Sequence, residues 1–297
     1  MLKSIYIVTI LVMSLGRSEQ AYESNLDYQA VARGTLSTDM ARAWQAPAAV
    51  GAPWVLLRPD SASDVYIRMV QTPDTGNYAP MKTLGWNAIE IQARDPDRLQ
   101  QSLDSESFEI IGKPAYLTDQ QNIRAMQVLG PDQELLYLTH VIDPALSTFN
   151  IGTAQSWVDR VFIMVLGTAD IGATSRFYKE ILDQDISGPW PYRISVLSRA
   201  WGKDENSIYD LSIAQLQEAF LIEIDQYPEE AEPRSLSTIG LPGGPAMVSF
   251  RVSSVDQVST RSGASPVNLT EAPYNGQSSL LLRGPSGELI ELVGPAP

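Results

Sequence analysis

The chain has 297 residues, 44% of them hydrophobic, which is enough for two domains of ordinary size and a sizeable core. A formal net charge of −14 argues against nucleic acid or an anionic membrane surface as partner, because phosphates would repel it. The absence of cysteine excludes disulfides, thiolate nucleophiles and sulfur-held metals, and the single histidine, His140, excludes any site with two histidine ligands from one chain.

At the N-terminus, Lys3 and the apolar run 5–15 resemble a short signal peptide. The run is too short to span a bilayer. Internal repetition instead makes residues 5–13 a structural strand, and the protein is then expected to be cytoplasmic. Arg42-Ala43-Trp44 recurs as Arg199-Ala200-Trp201. Upstream of each, Tyr22 to Asp27 matches Tyr178 to Asp183; downstream, Val65 to Met69 matches Phe220 to Ile224. Three landmarks in one order, at nearly constant spacing, mark a duplicated chain. Gly130-Pro131-Asp132-Gln133-Glu134-Leu135-Leu136 likewise parallels Gly284-Pro285-Ser286-Gly287-Glu288-Leu289-Ile290, so each half holds two related modules.

Each module opens on an apolar strand, at residues 5–13, 88–93, 161–168 and 247–252, rich in β-branched and aromatic side chains. Helical segments follow in modules one and three. In the third, residues 173–182 set Phe177 and Ile181 on one face and Tyr178 and Leu182 on an adjoining one. Each module closes on a strand reached through a turn, of which Gly284-Pro285-Ser286-Gly287 is the clearest. Proline and glycine clusters near 72–80 and 229–245 separate the modules within each half, and residues 143–156 read as a linker between halves. The segments 35–53 and 187–207 show no usable periodicity.

This order resembles the vicinal oxygen chelate superfamily, which includes glyoxalase I, extradiol dioxygenases, methylmalonyl-CoA epimerase and bleomycin-resistance proteins. The opening strand and Phe177-Tyr178 helix of module three are similar to the family's first strand and helix. Arg283-Gly284-Pro285-Ser286-Gly287-Glu288-Leu289-Ile290-Glu291-Leu292 resembles its turn and the strand that carries a metal-binding glutamate. The resemblance implies an α+β fold of tandem βαβββ modules forming two glyoxalase-like domains with cup-shaped mixed sheets. These would be residues 1–145 (modules 1–72 and 82–142) and 155–297 (modules 157–228 and 244–295).

In such a cup the first and last strands of each module point side chains inward. The last-strand position holds Arg68, Tyr137, Glu223 and Glu291 in modules one to four. Alternation places Glu291 between Leu289 and Val293 on one strand face, and Glu223 beside Leu221. An enclosed carboxylate of this kind gains a raised pKa suited to acid–base work, although a solvated or arginine-paired glutamate is the plainer reading. The first-strand position falls on Ile7, Ala88, Ile163 and either Met247 or Ser249, none a convincing ligand for a catalytic metal. Only Glu291 matches a family ligand position, so no cofactor is expected beyond a weakly held divalent ion. His140 reads as a surface residue. Arg68 and Tyr137 are candidate substrate-binding groups, a carboxylate-binding fork and a phenolic donor, against neutralising and core-filling alternatives. Trp44 and Trp201 read as packing residues.

Module pairing stays open at this stage. The linker favours one with two and three with four, as in extradiol dioxygenases, which would put Glu223 and Glu291 in one cup. Pairing one with four and two with three, as in single-chain glyoxalases, would set Arg68 beside Glu291 and Tyr137 beside Glu223. The expected function is metal-independent isomerase or lyase chemistry on a small carbonyl compound, with Glu291 as base and Glu223 as its partner. Alternatives are a non-catalytic small-molecule binding protein of the resistance type and a degenerate extradiol dioxygenase. The expected partner is a small organic molecule, with the protein a monomer or homodimer.

Overall fold

A computed structural model describes residues 2–295, so Met1, Ala296 and Pro297, the outermost positions of the two expected domains, lie outside it. Module one runs β1 (Leu2–Val12), α1 (Leu15–Leu26), β2 (Tyr28–Thr35), α2 (Thr38–Ala43), β3 (Pro53–Pro59) and β4 (Tyr66–Gln71). Module two runs β5 (Gly85–Ala93), α3 (Pro96–Ser102), β6 (Glu109–Tyr116), β7 (Ile123–Leu129) and β8 (Leu135–Val141). Module three repeats module one with β9 (Val158–Thr168), α4 (Ile171–Leu182), β10 (Ser187–Arg193), α5 (Ser195–Ala200), β11 (Ile208–Gln215) and β12 (Leu221–Gln226). Module four comprises β13 (Pro245–Val252), α6 (Asp256–Ser262), β14 (Val267–Leu269), β15 (Gln277–Arg283) and β16 (Leu289–Gly294). The apolar N-terminal run is thus strand β1, buried along nearly its whole length. Among the described residues no helix is long and apolar enough to cross a membrane.

All four modules carry a helix after the first strand, including the seven-residue α3 and α6 that periodicity missed. In α3 the signal is the cap rather than the period: Asp95 accepts from the Arg98 amide, and Pro96 opens the first turn. The unread segments 35–53 and 187–207 contain α2 and α5. The repeat also holds at the level of backbone dihedrals. Asp27 and Asp183 both end their helices in the left-handed region at φ 54°, with their amides bonded to Tyr22 O and Tyr178 O.

The modules form two curled eight-stranded sheets, ordered β14-β15-β16-β13-β1-β4-β3-β2 and β10-β11-β12-β9-β5-β8-β7-β6. Module one therefore pairs with module four through antiparallel β1 and β13, and module two with module three through antiparallel β5 and β9. This overturns the pairing favoured by the linker: the two sheets do not follow the two halves of the chain, and Glu223 and Glu291 do not share a cup. The reason is local. Strands β8 and β9 both flank β5, so residues 143–156 only step across one strand within a sheet. They are tied down there by Gln92 Nε2 on Ile151 O at 2.7 Å and Arg94 Nη2 on Gln155 O at 2.6 Å. The chain passes between sheets at 72–85 and 227–245 instead. These two crossings run side by side, linked by a bridge between Thr83 and Glu232 and by Asn77 Nδ2 on Pro233 O at 3.1 Å.

Between the sheets lies the main core, with Ile5, Val8 and Ile10 of β1, Ile89 and Ile91 of β5, Met164 and Leu166 of β9 and Val248 and Phe250 of β13. Helix-to-turn bonds reinforce it across repeat-related positions, with an asymmetry that can be measured. The Tyr22 hydroxyl donates to Glu134 Oε1 at 3.0 Å, whereas Tyr178, beside the equivalent Glu288, has no hydrogen-bond partner for its hydroxyl among the described residues. Tyr22→Phe is expected to cost about 1–2 kcal/mol in urea unfolding, and Tyr178→Phe to be near neutral. Equal costs would contradict this packing.

Candidate active site in the second cup

The two cups differ in what fills them. In the cup of modules one and four, Ile7, Leu11, Leu56, Met247, Leu281 and Val293 project from the sheet and meet Leu36, Met40, Trp44 and Tyr274 from α2 and the loops. Glu291, fully buried, sits inside this packing. It accepts from Trp44 Nε1 at 3.1 Å, from the Tyr274 hydroxyl at 3.0 Å, from Ser279 Oγ at 2.6 Å and from Ser249 Oγ. Ser249 rather than Met247 is thus the first-strand residue on this carboxylate. Arg68 is equally buried. It donates to the Tyr274 hydroxyl at 2.9 Å and to Ala272 O at 3.2 Å, and its guanidinium lies within about 5.0 to 5.5 Å of the ring centres of Tyr274, Trp44 and Trp54. Arg68 and Glu291 are therefore joined through one shared phenol. Both oxygens of the buried Glu291 carboxyl group are taken by donors of this chain.

The cup of modules two and three is polar where the first is packed. Strand pairing aligns Gln127, Tyr137, Glu90 and Ile163 in one row, with Ala88, Val165, Glu223 and Ile213 in the next. Asp225, two residues beyond Glu223, shares its face. Glu90 and Asp225 are buried, and Glu223 is only half-buried, so the hollow reaches solvent at Glu223. Thr139 Oγ1 donates to Glu90 Oε1 at 2.6 Å. None of the salt bridges among the described residues involves Glu90, Glu223 or Asp225.

Uncompensated burial controls their protonation. Desolvation, then the charge of Glu223, pushes Glu90 up to about 8 against the opposing Thr139 bond. Desolvation pushes Asp225 up to about 7, offset in part by its hydrogen bond with Glu223. Glu223 is raised by desolvation and by the charge of Asp225. Glu223 and Asp225 are neighbouring carboxyl groups whose protonation is linked, an acid and a base side by side once one of them is ionised. Burial also raises the Tyr137 phenol, which keeps it a hydrogen-bond donor. At the rim, Tyr192 of edge strand β10 donates to Leu117 O, next to the opposite edge strand β6, at 3.1 Å. Trp190, Tyr192 and Tyr116 are exposed along these edges.

Of the sequence candidates, the structure thus brings Arg68 to Glu291 and Tyr137 to Glu223. His140 lies on the opposite face of β8 from Tyr137, paired across to Arg124 and half-buried. Trp201 donates to Met81 O at 2.9 Å and is structural, whereas its repeat partner Trp44 holds Glu291. Sequence reasoning missed Glu90 and Asp225. Alternation in β5, with Ala88, Glu90 and Gln92 on one face and Ile89 and Ile91 on the other, carried the signal for Glu90. Tyr274, in an irregular loop, had none.

The metal centre implied by the resemblance fits neither cup. In the first, a buried guanidinium stands where a ligand should, and would repel a cation. In the second, Ala88 and Ile163 supply no ligand atoms. No three His, Asp or Glu side chains among the described residues converge as a metal requires.

No protein-family model and no curated protein sequence matches the chain. Solved structures do. Glyoxalase I from Zea mays aligns with a TM-score of 0.61 at 11% identity, over 98% of this chain and 92% of that one. A Bacillus subtilis protein provisionally described as a dioxygenase aligns with a TM-score of 0.62 at 9% identity, over 100% of this chain and 86% of that one. The chain has the glyoxalase-like, vicinal oxygen chelate fold. The likeness to the maize enzyme runs through all four modules, and at this identity it is a likeness of fold.

Proposed function

We propose that this protein acts on a small organic carbonyl compound by proton transfer, an isomerase or lyase step, in the cup of modules two and three and without a metal centre. Glu223 and Asp225 share the acid–base role. The ionised carboxylate of the pair removes a proton from the carbon next to the carbonyl, leaving an enolate whose oxygen accepts a hydrogen bond. The proton is returned at another carbon in an isomerase, or a β-substituent departs with the electron pair in a lyase. The Tyr137 phenol donates to the carbonyl oxygen, and Glu90 tunes the pair. Glu291 and Arg68 serve to hold the other cup together. The reading rests above all on the half-buried Glu223 beside two buried carboxyl groups, Glu90 and Asp225, that have no salt-bridge partner among the described residues.

Solvent deuterium exchange into a panel of small ketones, aldehydes and keto acids, followed by mass spectrometry, tests it. Glu223→Gln should lower exchange at least 100-fold while leaving the melting temperature within a few degrees. Exchange that survives this substitution refutes the assignment. A second reading, binding without turnover, is favoured by the exposed rings of Trp190, Tyr192 and Tyr116 beside the mouth. It predicts a stoichiometric ligand and no exchange in the unaltered protein.

A further inference from the structure

A second phenol reaches this cup from just beyond β12. The Tyr227 amide donates to Thr168 O at 2.8 Å, and the Thr72 amide after β4 donates to Val12 O at 2.9 Å. Tyr227 and Thr72 therefore occupy equivalent places in the repeat, as do Gly167 and Leu11, each the penultimate residue of its strand. In module one Leu11 projects into the first cup. Module three has glycine there instead, and the Tyr227 ring takes the space. A Cβ on Gly167 would stand 2.5 Å from Cε2 and 2.6 Å from Cζ of that ring. Gly167 pairs with Asp225 and shares its strand face with Val165, which pairs with Glu223. The ring thus lies on the inner face of the second cup, beside the carboxyl pair. Tyr227 is only 3% exposed, and a phenol so buried ordinarily finds a partner. Those of Tyr6, Tyr22, Tyr28 and Tyr274 do. The Tyr227 hydroxyl, like that of Tyr137, has none among the described residues. Burial raises both phenols, and the charges of Glu223 and Asp225 act on both in the same sense, so both stay protonated donors. They stand well apart. Tyr137 pairs with Glu90 and Glu90 with Ile163, four residues along β9 from Gly167, or about 13 Å at the rise of a strand.

We infer that Tyr227 sets the substrate class of this cup by donating to a second oxygen of the ligand, several bonds from the carbonyl that Tyr137 holds. The inference deepens the function proposed above and rests on it for the placement of the site. One oxygen cannot meet two donors rooted so far apart, so the ligand carries two acceptors with a short chain between them. A carbonyl compound without the second oxygen leaves the Tyr227 phenol unmatched in a buried place, and the cup rejects it on that ground. Gly167 is a positioning residue that acts through Tyr227: any side chain there would push the ring off the floor of the cup.

Deuterium exchange by the full chain into methyl ketones of increasing chain length, each paired with its ω-methoxy counterpart, decides the matter. The expected result is a kcat/KM about tenfold or more higher for the methoxy ketone at a favoured chain length. That ratio should fall below about threefold in Tyr227→Phe, which keeps the ring and loses the hydroxyl, and in Gly167→Ala, which displaces the ring. Melting curves confirm that each variant is folded, and either variant alone suffices. Equal rates within every pair overturn the inference, as does a preference that survives Tyr227→Phe. If the protein binds these ketones without exchanging them, the same ratios are read from dissociation constants. The proton-transfer reading is tested apart from this. Glu223→Gln should abolish exchange of both members of a pair, and exchange that persists sinks that reading while the Tyr227 ratio still stands or falls by itself.

Discussion

Urea and thermal stability should fall as pH rises from about 5.5 to about 8.5, the reverse of what an acidic protein with exposed ion pairs alone would do. Four buried carboxyl groups produce this: Glu90 at about 8, and Glu134, Asp225 and Glu288 at about 7, each raised first by desolvation. Their ordinary values are 4.5 for glutamate and 3.8 for aspartate. Between these and the raised values the folded chain binds protons that the unfolded chain has released. The contribution is complete below the unfolded pKa values and is lost as pH climbs through 7 and 8. Each pKa unit is worth about 1.4 kcal/mol, so several such groups are worth several kcal/mol together. The carboxylates held below their usual range, Asp74, Asp97 and Asp104, stay ionised across this window. Glu90→Gln, uncharged at every pH, should flatten part of the profile, and Glu223→Gln, which removes a carboxyl group also raised by burial, should flatten it further. A midpoint that is constant or rising from pH 6 to 8 would show that these carboxyl groups are solvated.

The second large effect concerns the packed cup. Arg68→Met should cost about 3–5 kcal/mol in urea unfolding, because it removes the buried guanidinium that donates to Tyr274 and leaves the Glu291 side of the cluster without it. Glu291→Met should cost as much, stranding the Trp44, Ser249, Ser279 and Tyr274 donors and leaving Arg68 unmatched. The double variant removes both charges and leaves a hydrophobic cluster of similar volume. Its cost should be less than the sum of the two, by about 1–3 kcal/mol, because both groups act through Tyr274. Additive losses, or single losses under about 1 kcal/mol, would separate Arg68 from Glu291. If the variants stay folded, binding in the other cup should be unchanged, since the two sites lie in different sheets.

The contrast between the cups comes from equivalent elements used differently. Helices α2 and α5 occupy the same place in modules one and three and end on Trp44 and Trp201. The first tryptophan reaches across to Glu291 in module four, whereas the second turns to the Met81 carbonyl. Module four adds Tyr274, between the two charges. One hollow is thereby closed by its own side chains, and the other keeps its acids uncovered at Glu223.

Fourfold repetition, the strand that opens each module and the inward face of each closing strand were all legible in the amino-acid sequence. Those features are local: side chains alternate every second residue along a strand, so a face can be read without knowing what it packs against. Glu223 and Glu291 could be aimed inward on that ground, and Glu90 could have been. Which modules join could not be read this way, because β1, β5, β9 and β13 are all apolar strands of similar pattern, and any would satisfy another's open edge. Tertiary burial chose, placing each of these strands at the centre of a sheet and sending the chain between sheets at 72–85 and 227–245. That choice sent the two glutamates to separate cups, filled one with Trp44 and Tyr274 and gathered Glu90, Glu223 and Asp225 in the other. The character of each site thus depends on contacts between residues far apart in the chain, and no local period encodes them.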